Sequence, residues 1–344
     1  MINYVLKHKR LLQAGDAAAD LGTSSVVRTP MIEVLKRKVS MSTANKHYKS
    51  MRWLLLAHLT ACAAFAAVGD AAICVNAAES NMCRIVTRDS WYGFNRKVFE
   101  FLGKEAWIVE PKNEAAGRPW AWIMEWPDAF AKRTGSAALL KAGYHVVTLR
   151  PGHYVSGKFV SQPGNMNDKR LRESRAFQKY LVGELHFAPK ANLIGMSWGG
   201  FYSVRYAGTY PDAVARIYLD APLLDFSTLS GKEWWGLNEK YGVDVKTYVG
   251  KDDPRQAVNM YEPIAKNGIS ILLLYGGVDA TVPPSGNGLR FAEAFKAAGG
   301  KIEIVSREAY GHHPHGLEID EQQKFVDFFN GQGTGCRSTG CIDF

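Results

Sequence analysis

The sequence predicts an α/β protein with a mostly parallel central sheet and helices on both faces. The 344 residues suffice for one domain of roughly 250 residues with a leader and a tail. Hydrophobic residues make up 47% and charged residues 22%, which is typical of a globular chain and argues against a disordered one. From residue 105 onward, short apolar strand-like segments alternate with helical ones, and this alternation favours parallel strands joined by helices.

The elements follow from local patterns along the chain. Leu171, Phe177, Leu181 and Leu185 have helical spacing, whereas the apolar run 191–196 has the length of a buried strand. The predicted strands are 105–110, 119–125, 144–149, 191–196, 215–220, 269–275 and 301–305. The predicted helices are 128–143, 168–187, 199–210, 285–298 and 318–330.

The connection 222–266 is long for a link between neighbouring strands and is rich in aromatic residues. It predicts a small helical cap over the strand ends, with Trp234 and Trp235 lining a substrate pocket. The alternative is an elaborated surface whose aromatic side chains fill a secondary core.

The net charge of +9 is concentrated before the predicted domain. Ten Lys and Arg residues and three acidic residues lie in 1–52, so this stretch carries +7 and the remainder only +2. A nearly neutral domain lacks the basic surface that nucleic-acid binding requires, and we expect no nucleic-acid partner.

An apolar run rich in Leu and Ala follows Met51 and Arg52, the pattern of a secretory signal peptide. His58 and Asp70 interrupt the run, so no stable membrane span is expected. We expect cleavage after Ala77 and a secreted or periplasmic protein. The alternative is a lipid anchor on Cys62. Translation is expected to begin at Met41 or Met51, which would leave the basic extension at 1–50 largely untranslated. The predicted organisation is this extension, a signal peptide at 51–77, a domain at 78–331 and a Gly- and Cys-containing tail at 332–344.

Cleavage after Ala77 would leave three cysteines, Cys83, Cys336 and Cys341. One disulfide among them is plausible in an oxidising compartment, and the sequence does not fix the pairing. None lies in a catalytic sequence context.

The motif Gly195-Met196-Ser197-Trp198-Gly199 lies between a predicted buried strand and a predicted helix. A G-x-S-x-G motif in this position forms a sharp turn that exposes a nucleophilic serine at the top of an α/β-hydrolase sheet. Ser197 is therefore the predicted nucleophile, and the fold predicted is the α/β-hydrolase fold.

A serine hydroxyl needs a base, and the base needs an acid to orient it. Asp279 follows the predicted strand 269–275 and is the predicted acid, with Asp220 at the end of 215–220 as the alternative.

The base should follow the last strand, where His312, His313 and His315 cluster. His312 is the predicted base and His313 the alternative, whereas His315 is expected to pack or hydrogen-bond locally. Pro314 and the short spacing are expected to keep the three rings from converging, so no metal site is predicted.

A tetrahedral intermediate also needs donors for its oxyanion. The predicted donors are the backbone N–H of Trp198 and that of Glu125 or Trp126, in the loop after strand 119–125.

These segments also resemble a known family. GMSWGG, YLDAP, GGVDATVP and GHHPHGL, with PWAWIME before them, are similar to secreted bacterial α/β hydrolases related to carbohydrate esterases and prolyl-oligopeptidase-like hydrolases. The resemblance spans about 107–329, and it implies a triad of Ser197, Asp279 and either His312 or His313. It departs at Trp198, where related sequences carry Arg, which weakens inferences about the substrate.

The sequence thus predicts a serine esterase that cleaves a carboxylic ester through an acyl-enzyme. The resemblance favours a deacetylase acting on a carbohydrate or small-molecule ester, and no cofactor is needed. The alternatives are a peptidase or lipase of the same fold, or an inactive binding protein.

Overall fold

The computed structural model describes residues 83–155, 158–161, 167–228 and 254–332. The strands in these ranges are β1 Cys83–Trp91, β2 Phe94–Phe101, β3 Lys104–Val109, β4 Trp120–Ile123, β5 His145–Leu149, β6 Gly152–Val155, β7 Lys158–Ser161, β8 Ala191–Met196, β9 Val214–Asp220, β10 Ser270–Gly276 and β11 Ile302–Arg307. The α-helices are α1 Ser136–Lys141, α2 Asp168–Gly183, α3 Trp198–Thr209, α4 Tyr261–Lys266, α5 Gly288–Ala297 and α6 Gln323–Phe329.

Nine strands form one sheet in the order β1-β2-β3-β5-β4-β8-β9-β10-β11. The first three pairings are antiparallel, and the pairings from β5 through β11 are parallel. The predicted mostly parallel central sheet is therefore confirmed. Strands β6 and β7 form a separate antiparallel hairpin.

Apolar clusters cover both faces of the sheet. Leu193 and Ile217 join side chains of α2, α3, α4 and α5 on one face. Their neighbours Ile194 and Tyr218 join side chains of α1 and α6 on the other. Successive strand residues point to opposite faces, so these central strands are buried on both sides, as the predicted helices on both faces require.

Most predicted elements agree with the structure within two residues, but the helix expected at 128–143 is much shorter. Only Ser136–Lys141 is α-helical. Positive φ angles interrupt right-handed helical geometry before α1. They are 56° at Trp126, 55° at Phe130 and 81° at Gly135.

Three other helices are also shorter than predicted. Helix α2 ends at Gly183 rather than 187, and His186 beyond it has a φ of 55°. Short 3₁₀ turns at Pro284–Gly286 and Ile319–Glu321 occupy the starts predicted for α5 and α6.

The antiparallel strands β1 and β2 were absent from the predicted elements. Tyr92-Gly93 and Leu102-Gly103 connect β1 to β2 and β2 to β3, and all four residues have positive φ angles between 51° and 82°. Two-residue turns that end in Gly are the hairpin signal that identifies these strands in the sequence.

Part of the predicted cap at 222–266 is described. It contains 3₁₀ turns at Phe226–Thr228 and Ala257–Asn259 and helix α4. Trp234 and Trp235 lie outside the described residues, as do the leader, Cys62, Cys336, Cys341 and most of the tail. Among the residues that the structure describes, no helix has the length and apolar character needed to cross a membrane.

Replacing Phe325 with Ala is expected to lower the free energy of unfolding by about 3–5 kcal/mol. The Phe325 ring is fully buried, and its centroid lies 4.7 Å from that of Tyr218. Ile319→Ala is the control, since Ile319 is 62% exposed and its loss should cost under about 0.5 kcal/mol. Urea denaturation measures both, and a loss below about 1 kcal/mol for Phe325→Ala would contradict this packing.

Candidate active site

Ser197 lies at the sharp turn between β8 and α3. Its backbone has φ 52° and ψ −117°, a conformation that costs free energy for a residue with a side chain. A Cβ at Gly195 would lie 2.5 Å from the Ser203 hydroxyl oxygen and 2.8 Å from the Gly199 carbonyl oxygen. Glycine at that position therefore lets the turn close tightly enough to present the serine.

The structure brings Ser197, His312 and Asp279 into one hydrogen-bonded chain. The Ser197 Oγ lies 2.9 Å from the His312 Nε2, and the His312 Nδ1 lies 2.8 Å from the Asp279 Oδ2. In this arrangement the imidazole can accept the serine proton at one nitrogen while the carboxylate orients it through the other.

Asp279 is held by its own loop after β10. Its Oδ1 accepts hydrogen bonds of 2.9 Å from the backbone N–H groups of Thr281 and Val282, and its side chain is 1% exposed. Burial raises the pKa of Asp279, but the hydrogen bonds from His312 and these two N–H groups outweigh it and keep the pKa below the usual value. Asp279 is thus a fixed carboxylate at neutral pH.

Asp220, the alternative acid, has different partners. Its Oδ1 lies 3.1 Å from the His315 Nδ1, and its Oδ2 accepts hydrogen bonds from the Tyr218 hydroxyl and the Gly316 N–H. Asp220 ends the strand adjacent to β10, as expected, but His315 rather than His312 occupies the position beside it.

His313, the alternative base, is solvent-exposed. Its ring stacks on Phe130 with a centroid distance of 5.7 Å and an interplanar angle of 16°. Partial burial and the two neighbouring imidazoles lower its pKa from the usual value. His312, not His313, is hydrogen-bonded to Ser197.

The expectation that the three histidine rings cannot converge is wrong. The centroids of His312, His313 and His315 are each 4.9 Å from the other two. Arg307 holds two points of this loop, because one of its guanidinium nitrogens donates to the carbonyl oxygens of both Pro314 and Gly316. That interaction has no local signal in the sequence.

The predicted oxyanion donors lie beside the serine turn. Trp198 is the first residue of α3, at the positive end of the helix dipole. A Cβ at Gly199 would lie 3.2 Å from the backbone N of Glu125, so the Glu125 loop packs closely against the helix start. Trp126, which follows, has an exposed side chain.

The Glu125 side chain has a property that the sequence did not indicate. It is fully buried, and among the described residues no group hydrogen-bonds its Oε2. Burial raises the pKa of Glu125 from 4.5 to about 8. This increase is partly offset by groups that lower the pKa, namely Arg170, the Trp126 N–H and Arg150. Glu125 is therefore mainly protonated at neutral pH, and it packs against Gly199, two residues after the candidate nucleophile.

A cavity of 480 Å³ opens beside the Asp279 loop. Its walls include Tyr275, Val278, Pro283 and Leu289. Ser197 and His312 do not line it, so it lies on the Asp279 side of the hydrogen-bonded chain.

The comparisons with known proteins agree on the fold. The family described as "alpha/beta hydrolase fold" matches residues 126–240. The S-formylglutathione hydrolase of Agrobacterium tumefaciens aligns with a TM-score of 0.50 at 16% identity, over 72% of this chain and 97% of that one. The dipeptidyl peptidase 4 of Porphyromonas gingivalis aligns with a TM-score of 0.51 at 14% identity, over 72% of this chain and 36% of that one. The chain has the α/β-hydrolase fold.

A curated relative is the acylamino-acid-releasing enzyme 2 of Oryza sativa subsp. japonica. It is 27% identical over 209 residues, which cover 57% of this chain. The match covers 26% of the relative, so the chain spans about a quarter of its length.

Glu125→Gln should stabilise the protein increasingly as the pH rises. The folded-state pKa of about 8 lies above the usual 4.5, so ionisation of Glu125 costs stability progressively between these values and fully above pH 8. The stability difference from wild type should grow by a few kcal/mol between about pH 5 and pH 9 in urea denaturation.

Glu293→Gln, on an exposed position of α5, is the matched control for the loss of one carboxylate. A stability difference for Glu125→Gln that stays constant across this pH range would contradict the assignment of Glu125 as a buried, protonated acid.

Proposed function

We propose that this protein is a serine hydrolase that cleaves a carboxylic ester through an acyl-enzyme. The observation that carries the proposal is the hydrogen-bonded chain from Ser197 through His312 to Asp279, which lies above the carboxyl ends of parallel strands. Three side chains from separate loops meet there in the order that nucleophile, base and acid require.

In the proposed reaction the His312 Nε2 accepts the hydroxyl proton of Ser197 as Oγ attacks the carbonyl carbon of the ester. The tetrahedral intermediate collapses when the alcohol leaves with the proton from His312, and the acyl group remains on Oγ. A water molecule then attacks the acyl carbon with His312 again as base, and the bond to Oγ breaks as His312 returns that proton to Ser197 and the carboxylic acid leaves. Asp279 stabilises the imidazolium in both halves.

The developing oxyanion would receive hydrogen bonds from the backbone N–H of Trp198 and that of Glu125. The Trp126 N–H already donates to the Glu125 carboxyl, which favours the Glu125 N–H as the second donor. A donor of this kind contributes about 3–4 kcal/mol to transition-state stabilisation.

For the substrate we propose a carbohydrate or small-molecule ester, with an acetyl group as the acid released. The resemblance of the segments around Ser197, Asp279 and His312 to carbohydrate esterases supports this choice. The signal-like segment at 51–77 supports export, and we propose a secreted or periplasmic location. Intact mass of the exported chain tests the location, and a species that retains residues 51–77 would contradict it.

A second candidate is hydrolysis of an N-acylated peptide or amino-acid amide. The 209-residue match to the rice acylamino-acid-releasing enzyme 2 favours it. Assays with p-nitrophenyl acetate and with an N-acetyl-amino-acid p-nitroanilide separate the two, because the first offers an ester bond and the second an amide. A kcat/KM that is higher for the anilide would favour the peptidase, and a series of longer acyl esters tests for a lipase.

Ser197→Ala should reduce kcat for p-nitrophenyl acetate by about 10⁴-fold or more, because it removes the nucleophile. The buried Ser203, which hydrogen-bonds the Gly199 carbonyl within α3, supplies a matched Ser→Ala control. Initial rates on folded protein measure both variants. A Ser197→Ala enzyme as active as wild type would refute the proposal.

Asp279→Asn should lower kcat by about 10²–10⁴-fold, since an amide cannot stabilise the imidazolium form of His312. Asp220→Asn alters the carboxylate beside His315. Its loss of kcat should be at least about tenfold smaller than the loss for Asp279→Asn. Steady-state rates of both variants, compared at equal folded fraction, decide between the two acids. An equal or larger loss for Asp220→Asn would identify Asp220 as the acid instead.

A further inference from the structure

The loop between Gly311 and Gly316 gathers three imidazoles at one point. One ligand atom from each of His312, His313 and His315 lies within 4.8 Å of the other two. The hydrolytic mechanism uses only His312, so the proximity of the other two rings is not explained by it.

Two of these imidazoles have a buried carboxylate at Nδ1. Asp279 lies 2.8 Å from the Nδ1 of His312, and Asp220 lies 3.1 Å from the Nδ1 of His315. Such a carboxylate keeps the proton on Nδ1 and leaves the lone pair of Nε2 as a ligand. Zinc-binding histidines commonly have a partner of this kind at their second ring nitrogen.

The third imidazole makes the cluster accessible. His313 is exposed, whereas the side chains of His312 and His315 are 8% and 2% exposed. A cation can therefore approach from the His313 side, and water can supply a fourth ligand.

We propose that His312, His313 and His315 bind a divalent cation of the zinc class, and that the bound cation inhibits the hydrolase. Coordination takes the Nε2 lone pair of His312, which is the acceptor of the Ser197 hydroxyl proton. The serine then loses its base until the cation leaves. The inhibition depends on the proposed function, whereas the cation binding does not.

The geometry needs only small side-chain movements. Zn–N bonds of about 2.0–2.1 Å in a tetrahedral site place two ligand nitrogens about 3.4 Å apart, so no separation between the three ligand atoms has to shorten by more than about 1.4 Å. The charges of Asp220 and Asp279 partly offset that of the dication, although neither is a direct ligand.

The ligand set also predicts which cations bind. Neutral imidazoles suit Zn²⁺, Cu²⁺ and Ni²⁺, whereas Mg²⁺ and Ca²⁺ prefer oxygen ligands. We therefore expect ZnCl₂ to inhibit at concentrations where MgCl₂ has no effect.

Calorimetric titration of the full chain carrying Ser197→Ala with ZnCl₂ tests binding without any need for activity. We expect one Zn²⁺ per chain, with an affinity that falls at least about tenfold when His313→Ala is added. His186→Ala is the matched control, because His186 is also exposed but follows α2, outside the loop of the cluster. Absence of binding at 1 mM ZnCl₂ (about the weakest affinity of interest), or equal affinity with and without His313, would overturn the site.

The second measurement is the rate of p-nitrophenyl acetate hydrolysis against ZnCl₂ concentration, each variant relative to its own zinc-free rate. Zinc should inhibit the wild-type enzyme reversibly, with EDTA restoring the rate. His313→Ala should raise the half-inhibitory concentration at least about tenfold. Zinc that binds in the calorimeter but leaves the wild-type rate unchanged would overturn the inhibition. A chain that binds zinc through His313 but hydrolyses nothing would refute the proposed function and support the metal site.

Discussion

The side-by-side arrangement of four parallel strands brings together the serine, the two carboxylates and the three histidines of the candidate site. Strands β8, β9, β10 and β11 are consecutive neighbours in the sheet. Ser197 follows β8, Asp220 ends β9, Asp279 follows β10, and the histidine loop follows β11. Because the carboxyl ends of parallel strands lie at one edge, residues more than a hundred positions apart meet within hydrogen-bond distance.

This arrangement produces two carboxylate–histidine pairs rather than one. Asp279 pairs with His312 and Asp220 with His315, and the centroids of the two rings lie 4.9 Å apart. The first pair reaches the serine, and the second lies buried behind it at the end of β9. A single short loop thus has both the base of the proposed reaction and the additional imidazoles of the proposed cation site.

The sequence predicted the parts of this arrangement that local chemistry determines. The apolar strand 191–196 is correct to the residue, because a continuous buried run followed by Gly-x-Ser-x-Gly allows few alternatives. The prediction of a long helix at 128–143 was wrong because the backbone is left-handed at Trp126 and Phe130, before α1. Neither tryptophan nor phenylalanine is a residue type that predicts this conformation.

The features that the sequence did not predict, the converging histidine rings and the buried Glu125 side chain, depend on tertiary contacts. The Arg307 side chain, at the end of β11, hydrogen-bonds two carbonyl oxygens of the histidine loop, and Glu125 packs closely against Gly199 of α3. Both effects join residues whose proximity is fixed by the fold. No periodicity or spacing near His313 or Glu125 could have indicated them.

The central claim is that Ser197 is a nucleophile activated by His312. A fluorophosphonate reacts only with an activated serine, and peptide mass mapping locates the phosphonylated residue. The account predicts one adduct per chain, on Ser197, and its loss in His312→Ala. An unlabelled wild-type chain, or an adduct on any other residue, would contradict it.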